Sequence, residues 1–326
     1  MHRFVSRRAV ALLLVTPFFA PLGALAQKYP DMPVRLVVPF APGGGADVVG
    51  RLLAQKLSDS MKQQFVVDNK SGAGGVIGTE FVAKAPADGY TLLLAPSSHV
   101  VNPSVFKKLP YDTEKAFEPI SLVASATILL AANSKVPAKD LKSYLAAVKA
   151  GNPQLANYGS AGNGTVFHLV SEQFKRSAKV EMQHVPYRGG APATAGLVSG
   201  EVPILFETAI TLQPHVRSGT VVPFAVTSAQ RSPLFPDVPT IGELGYPELV
   251  ASNDYALYAP AGTPKAIIRQ LYQEVAKVAN SSDFKARLWV QGTVVPASTP
   301  EQLGAYVKRE IQRWNGVARQ SNITLD

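Results

Sequence analysis

Short β-branched runs alternate with stretches of helical periodicity along this chain, and that alternation limits its fold more than any other feature. Residues 35–39, 65–68 and 91–95 read as strands. Between the first two, Val48, Val49, Leu52, Leu53 and Leu57 recur at three- and four-residue steps, which places them on one face of a helix over 46–61. Further helices are legible over 141–148, 166–174, 267–278 and 303–314, and 204–206 and 221–226 read as buried strands. Strands separated by helices pair in parallel and carry those helices on the sheet faces, so the class is α/β. Two apolar segments, 120–132 and 249–259, lie where the alternation pauses and are long for single strands. They predict two strands crossing between two lobes. Residues 27–124 and 253–326 then form a discontinuous lobe 1 and residues 125–252 form lobe 2, with a ligand cleft between them. A single large sheet with an insertion fits the same periodicity.

The 326 residues suffice for a sizeable core, and the absence of cysteine removes disulfides, Cys-ligated zinc, iron–sulfur clusters and cysteine nucleophiles. At the N-terminus, Arg3, Arg7 and Arg8 precede an apolar run that ends in Ala24-Leu25-Ala26, the pattern of a signal peptide cleaved after Ala26. Pro17 and Pro21 interrupt the run, which is too short for a membrane span. Ser6-Arg7-Arg8 also resembles a twin-arginine signal, which leaves both that route and the general secretory route open. Cleavage removes three arginines and no acid, taking the formal charge from +9 to +6. The remaining charge is spread along the chain, without the dense basic stripe of a nucleic-acid binder. A mildly positive exported protein would concentrate an anionic small ligand at a cleft.

Two glycine-rich loops stand before helices. The first runs through Pro39, Phe40, Ala41, Pro42, Gly43, Gly44 and Gly45 to Asp47. Glycine lets bare backbone approach a ligand, and the unpaired N–H groups of a helix start suit a carboxylate or phosphate. Asp47 either caps the helix or binds a ligand donor. The second loop, Asn157 to Thr165, contains Ser160, Gly162 and Gly164, with His168 one turn into the helix. His168, beside Leu169 and Val170, reads first as a packed or capping residue and only second as a ligand. Tyr187-Arg188-Gly189 then supplies an arginine whose fork suits a carboxylate, or a solvated surface charge. Ser97 and Ser98, on a loop after a strand, are further candidates.

Catalytic and cofactor signatures fail. Gly72-Ala73-Gly74-Gly75-Val76-Ile77-Gly78 has Ile77 where a dinucleotide fingerprint needs its last glycine. Tyr158 occupies the first glycine position of a nucleophile elbow around Ser160, and Ser104-Val105-Phe106-Lys107 lacks the companion motifs of a serine–lysine enzyme. His99, His168, His184 and His215 show no helical metal-ligand spacing. The expectation is therefore no cofactor, no metal and no catalysis.

Taken together, Pro39-Phe40 with Gly43-Gly44 and Asp47, Tyr158-Gly159-Ser160 through His168, and Val185-Pro186-Tyr187-Arg188-Gly189 resemble the Bug family. The similarity continues through residues 225–228, 236–240 and 259–264 to Leu325-Asp326, in order over the whole mature chain. Bug proteins are periplasmic solute receptors of tripartite tricarboxylate transporters. The resemblance implies a two-lobed Venus-flytrap fold of the type II periplasmic-binding class. It also implies a monomer that closes on a small carboxylate and hands it to membrane permease subunits. A membrane sensor kinase is an alternative partner, and an exported hydrolase using Ser160, His168 and an unassigned acid is the rival class. Carried over, the ligand-binding residues are Phe40, Ala41, Gly43, Gly44 and Asp47 from lobe 1, and Ser160, Gly164, Thr165 and His168 from lobe 2. Tyr187 and Arg188 are added from the next loop. Di- and tricarboxylates, acidic amino acids and aromatic acids all fit such a site. Two positions depart from the family pattern. Asp254 stands where tryptophan is common, and Gly196 where aspartate is common. An Asp254 bordering the cleft would favour a ligand carrying an amino, hydroxyl or cationic group.

Overall fold

The alternation is realised as a continuous path of strands bent into two halves. The computed structural model describes His2 and residues 29–326, so the expected signal peptide, residues 1–26, lies outside the described residues but for His2. The chain runs β1 (Val34–Val38), α1 (Gly45–Met61), β2 (Phe65–Asn69), α2 (Val76–Ala83), β3 (Thr91–Pro96), α3 (Ser98–Val105) and β4 (Phe117–Asn133). It continues α4 (Leu141–Lys149), β5 (Asn157–Ser160), α5 (Val166–Ala178), β6 (Gln183–Pro186), α6 (Gly190–Ser199), β7 (Ile204–Thr208), α7 (Ala209–Arg217) and β8 (Val221–Val226). It closes with β9 (Ser252–Pro260), α8 (Lys265–Asn280), α9 (Ser282–Trp289), β10 (Thr293–Val294) and α10 (Pro300–Gln320).

Hydrogen-bonded neighbours follow the order β2-β1-β3-β9-β4-β7-β5-β6, with β8 and β10 also paired to β4. β1, β2 and β3 are parallel, as strands joined by helical crossovers must be. α1 covers them with Val49, Leu53 and Leu57, all fully buried, at the four-residue spacing that puts side chains on one helix face. β5, β6 and β7 repeat the arrangement in the second half, again in parallel.

β4 is 17 residues long because it belongs to both halves. Phe117 through Thr127 pair with β9, whereas Ile128 through Asn133 pair with β7 and β8. The chain returns alongside: the Thr227 N–H donates to the Ile128 carbonyl at 2.9 Å and the Ala251 N–H to the Thr227 carbonyl at 3.1 Å. Ser252 then pairs with Thr127 and opens β9. The apolar segment 249–259 is thus strand only from Ser252, since Pro247–Leu249 forms a 3-10 turn. α2, α3, α6, α7 and α9 were not legible. α3 carries Pro103 inside it, and α6 reads Gly-Ala-Pro-Ala-Thr-Ala-Gly, a composition that mimics a loop. Ser98 accordingly opens a helix rather than lying on a loop.

Candidate functional site

Four helices start at one cavity between the halves: α1 through Gly45 and Ala46, α3 through Ser98, α5 through Val166 and Phe167, and α6 through Gly190. Phe40, Gly44, Thr165, Glu207, Asn253 and Tyr255 complete most of the wall around a cavity of about 30 Å³. Among the described residues, no Lys, Arg or His lines it. An anion held here is therefore met by the partial positive charge of helix starts, whose first N–H groups have no partner within their own helix.

The first loop is shaped from behind. Gly43 adopts φ +80°, where a glycine is needed, and the extended Gly44 caps α1. Asp47, 4% exposed, accepts hydrogen bonds from the Gly43 N–H (3.0 Å), Arg51 Nε (2.9 Å) and Asn69 Nδ2 (3.0 Å). Asn69 Nδ2 also donates to the Phe40 carbonyl at 3.0 Å, which ties the loop to β2. Burial alone would raise the Asp47 pKa, but the hydrogen bonds from Arg51, Gly43 and Asn69 outweigh it and hold the carboxyl below its usual range.

The second loop rests on stacked aromatic rings. Thr165 caps α5 by accepting from the His168 N–H at 3.3 Å and donates its hydroxyl to the Gly162 carbonyl at 2.7 Å. Ser160 Oγ accepts from the Gly162 N–H at 3.1 Å and lies 2.6 Å from His184 Nε2. The His184 ring stacks between those of His168 (4.2 Å) and Tyr158 (4.9 Å). Burial pushes His168 down to about 4 and His184 down to about 3, so both imidazoles are neutral near pH 7.

Loops of the two halves meet across the cavity: the first loop faces the start of α6, and Gly74 faces the second loop. A Cβ built on Gly44 would stand 3.6 Å from the Gly190 nitrogen and 3.7 Å from that of Ala191. A Cβ on Gly189 would stand 3.5 Å from the Ala41 nitrogen, and one on Gly74 would collide with the Asn163 carbonyl.

Of the residues expected from sequence, Phe40, Gly44, Ser98 and Thr165 line the cavity, while Ala41 and Gly43 stand at its rim against the other half. Asp47, Ser97, Ser160 and His168 sit one layer behind, where they hold the loops. Gly164, at φ +74°, packs against Phe106 and Asn102. The Tyr187 ring fills the space over Gly196, where any side chain would collide with it, so the missing acid at 196 is a packing matter. Arg188 is exposed and lies outside the cavity wall.

Asp254 does not border the cavity. Strand alternation turns its neighbours Asn253 and Tyr255 toward the ligand space and Asp254 to the opposite face of β9. There its carboxylate accepts from Tyr306 Oη (2.7 Å), Ser252 Oγ (2.8 Å) and Ser125 Oγ. It fastens α10 and β4 to β9. Asp254→Ala is therefore expected to cost about 2 kcal/mol of stability by leaving these hydroxyls without an acceptor. The relative affinities for amino-bearing and plain acids should stay unchanged, with unfolding curves and competition binding as the two readouts.

Sequence reading missed Gly45, Gly190, Glu207, Asn253 and Tyr255 in the wall. For Glu207 a signal existed: an acid ends a buried strand just before a helix, the end of an α/β strand where ligands collect.

A family model described as tripartite tricarboxylate transporter family receptor matches residues 49–323. Protein BugT of Bordetella pertussis is 38% identical over 302 residues, covering 92% of both chains. Among solved structures, the periplasmic binding protein BugD is 33% identical with a TM-score of 0.88, over 91% of this chain and 99% of that one. MatC from Rhodopseudomonas palustris with bound malate is 34% identical with a TM-score of 0.85, over 89% of this chain and 99% of that one. The two-lobed α/β architecture is the one these binding proteins share.

Proposed function

The chain belongs to the tripartite tricarboxylate transporter receptor family, that of the Bug proteins, and from this premise we propose that it captures a small carboxylate between its lobes and delivers it to membrane permease subunits. The observation that carries the proposal is the cavity ringed by four helix starts and free of basic side chains. Backbone amides then supply the anion site, and water can bridge carboxylates of different length at little cost. Malate bound in MatC agrees with this chemistry.

Residues 27–124 with 253–326 form one lobe in this reading, and residues 125–252 the other. The pairing supports it: β4 changes partners between Thr127 and Ile128, and the returning chain leaves Thr227 at Ala251 to join β9 at Ser252. Two adjacent crossings make a hinge. Export after cleavage at Ala26 would put the receptor in the periplasm, where BugD is described. Binding without reaction accords with the buried Ser160–His184 pair, whose serine is fully enclosed and bonded to its own loop.

Purified protein, refolded to strip co-purified ligand, is expected to melt several degrees higher in the presence of one class among mono-, di- and tricarboxylates, acidic amino acids and aromatic acids. At a hundredfold excess over Kd the stabilisation is about 2.7 kcal/mol. A protein native by circular dichroism whose melting point no carboxylate moves would overturn the reading.

A further inference from the structure

Among the described residues, the cavity wall contains one carboxyl group, Glu207, at the end of β7, and it is only 1% exposed. Its Oε1 accepts from the Thr208 N–H at 2.7 Å and from the Thr208 hydroxyl at 3.0 Å. Its Oε2 has no partner. That free oxygen lies toward the start of α6, where a Cβ on Gly190 would stand 2.8 Å from it, so the group reaches the ligand space only past a glycine. A buried acceptor without a donor is costly, and filling it is worth more than a hydrogen bond at the surface.

We propose that Glu207 is the ligand-selecting residue of the cleft, its free Oε2 accepting a hydrogen bond from a hydroxyl or ammonium group that a carboxylate ligand carries beside its acid function. The inference rests on the receptor reading and deepens it. The helix starts take the negative end of the ligand, and Glu207 takes the donor. A plain carboxylate oxygen placed at Oε2 would bring two acceptors together with no proton between them, and would meet like charge when Glu207 is ionised. This is the role that the sequence suggested for Asp254, whose acceptors are already filled elsewhere.

The groups facing Glu207 fix how it responds to pH. β9 presents Tyr255 and Asn253, α6 presents Gly190, α1 presents Gly45, and Leu129 of β4 pairs with it, so no cation opposes it and Tyr255 is the one titratable neighbour in the cavity wall. Burial pushes the Glu207 carboxyl up to about 7, against the hydrogen bonds from Thr208. An ammonium-bearing ligand therefore binds more tightly above pH 7. A plain dicarboxylate gains below pH 7, where the protonated acid becomes a donor.

The test is calorimetry on the refolded protein with matched probes: succinate, malate and aspartate, and glutarate, 2-hydroxyglutarate and glutamate. The expected result is a preference for the hydroxy or amino member of a set by on the order of 10- to 100-fold, collapsing toward unity in Glu207→Gln. In Glu207→Asp, whose shorter side chain withdraws from Gly190, an intermediate preference is expected, which keeps the test readable if the amide folds poorly. Unchanged preference in a Glu207→Gln protein that still binds would overturn the role of Glu207 and leave the receptor reading standing. Failure of the unmodified protein to bind any of the six would overturn the role of Glu207, and the receptor reading would fall only if no carboxylate of the wider melting panel bound either.

Discussion

Replacing Gly44 by valine is expected to weaken carboxylate binding on the order of 100-fold while shifting the melting point of the unliganded protein by only about a degree. Gly44 sits at φ −79° and ψ 169°, extended backbone that valine adopts freely, so the loop itself is not strained. A Cβ would stand 3.6 Å from the Gly190 nitrogen and 3.7 Å from the Ala191 nitrogen, in van der Waals contact across the cavity. The methyl groups of valine extend about 1.5 Å beyond that contact and are expected to crowd the facing backbone. The collision exists only when the halves are together, so it penalises closure and not folding. Titration calorimetry and melting curves with and without ligand measure the two quantities. Gly43, at φ +80°, gives the contrast, because a side chain there strains the loop in every state. An equal loss of liganded and unliganded stability in Gly44→Val would mean that the glycine serves the fold and not closure.

Between pH 7 and pH 5 the protein is expected to lose about 4 kcal/mol of stability, which is a large fraction of a normal folding free energy. Three buried imidazoles drive the loss. His99 is wedged against Phe117 (5.0 Å) and Tyr258 (4.7 Å) with neither ring nitrogen partnered, and His168 stacks on His184. Burial pushes His99 and His184 down to about 3 and His168 down to about 4. In the unfolded chain these rings titrate near ~6.5, so as pH falls below that value the unfolded state takes up protons first. The stability contributed by neutral histidines is full above ~6.5 and falls by roughly 2 kcal/mol per ring at pH 5. Glu207 acts in the opposite sense. Its carboxyl, raised to about 7 by burial, destabilises the fold when ionised, and protonation over the same interval returns about 2 kcal/mol. Urea unfolding at the two pH values reads the net change. His99→Phe should remove about a third of the histidine loss, and Glu207→Gln should make the fall steeper. A stability that is flat across the interval in all three proteins would refute the account.

The α/β class, the crossing at 120–132 and both glycine loops were legible because each is encoded locally. β-branched runs, a 3.6-residue apolar period and glycines before helices are properties of neighbours in sequence. α6 was hidden because its Gly-Ala-Pro-Ala composition has little helical propensity of its own, and tertiary packing under β7 outweighs that. α3 was hidden by Pro103. The role assigned to Asp254 moved to Glu207 because a strand reverses the facing of adjacent side chains. Sequence shows an acid near a cleft-forming segment but not which face of β9 it occupies, and here Asn253 and Tyr255 hold the cavity side.

His168, Asp47 and Ser160 illustrate the same limit in another form. Their positions beside the loops were readable, but whether they touch ligand or brace the loop depends on groups far away in sequence. Asn69 and Arg51 claim Asp47, and His184 claims Ser160. Sequence by itself determined the fold class, the two-lobed expectation and the two glycine-rich loops that precede α1 and α5, because short-range periodicity and glycine conformational freedom are local properties. Only the tertiary structure decided that four helix starts converge on one cavity and that Glu207 is the acid facing it, because convergence is set by how the sheet bends at β4 and by which polar atoms the packed core leaves without partners.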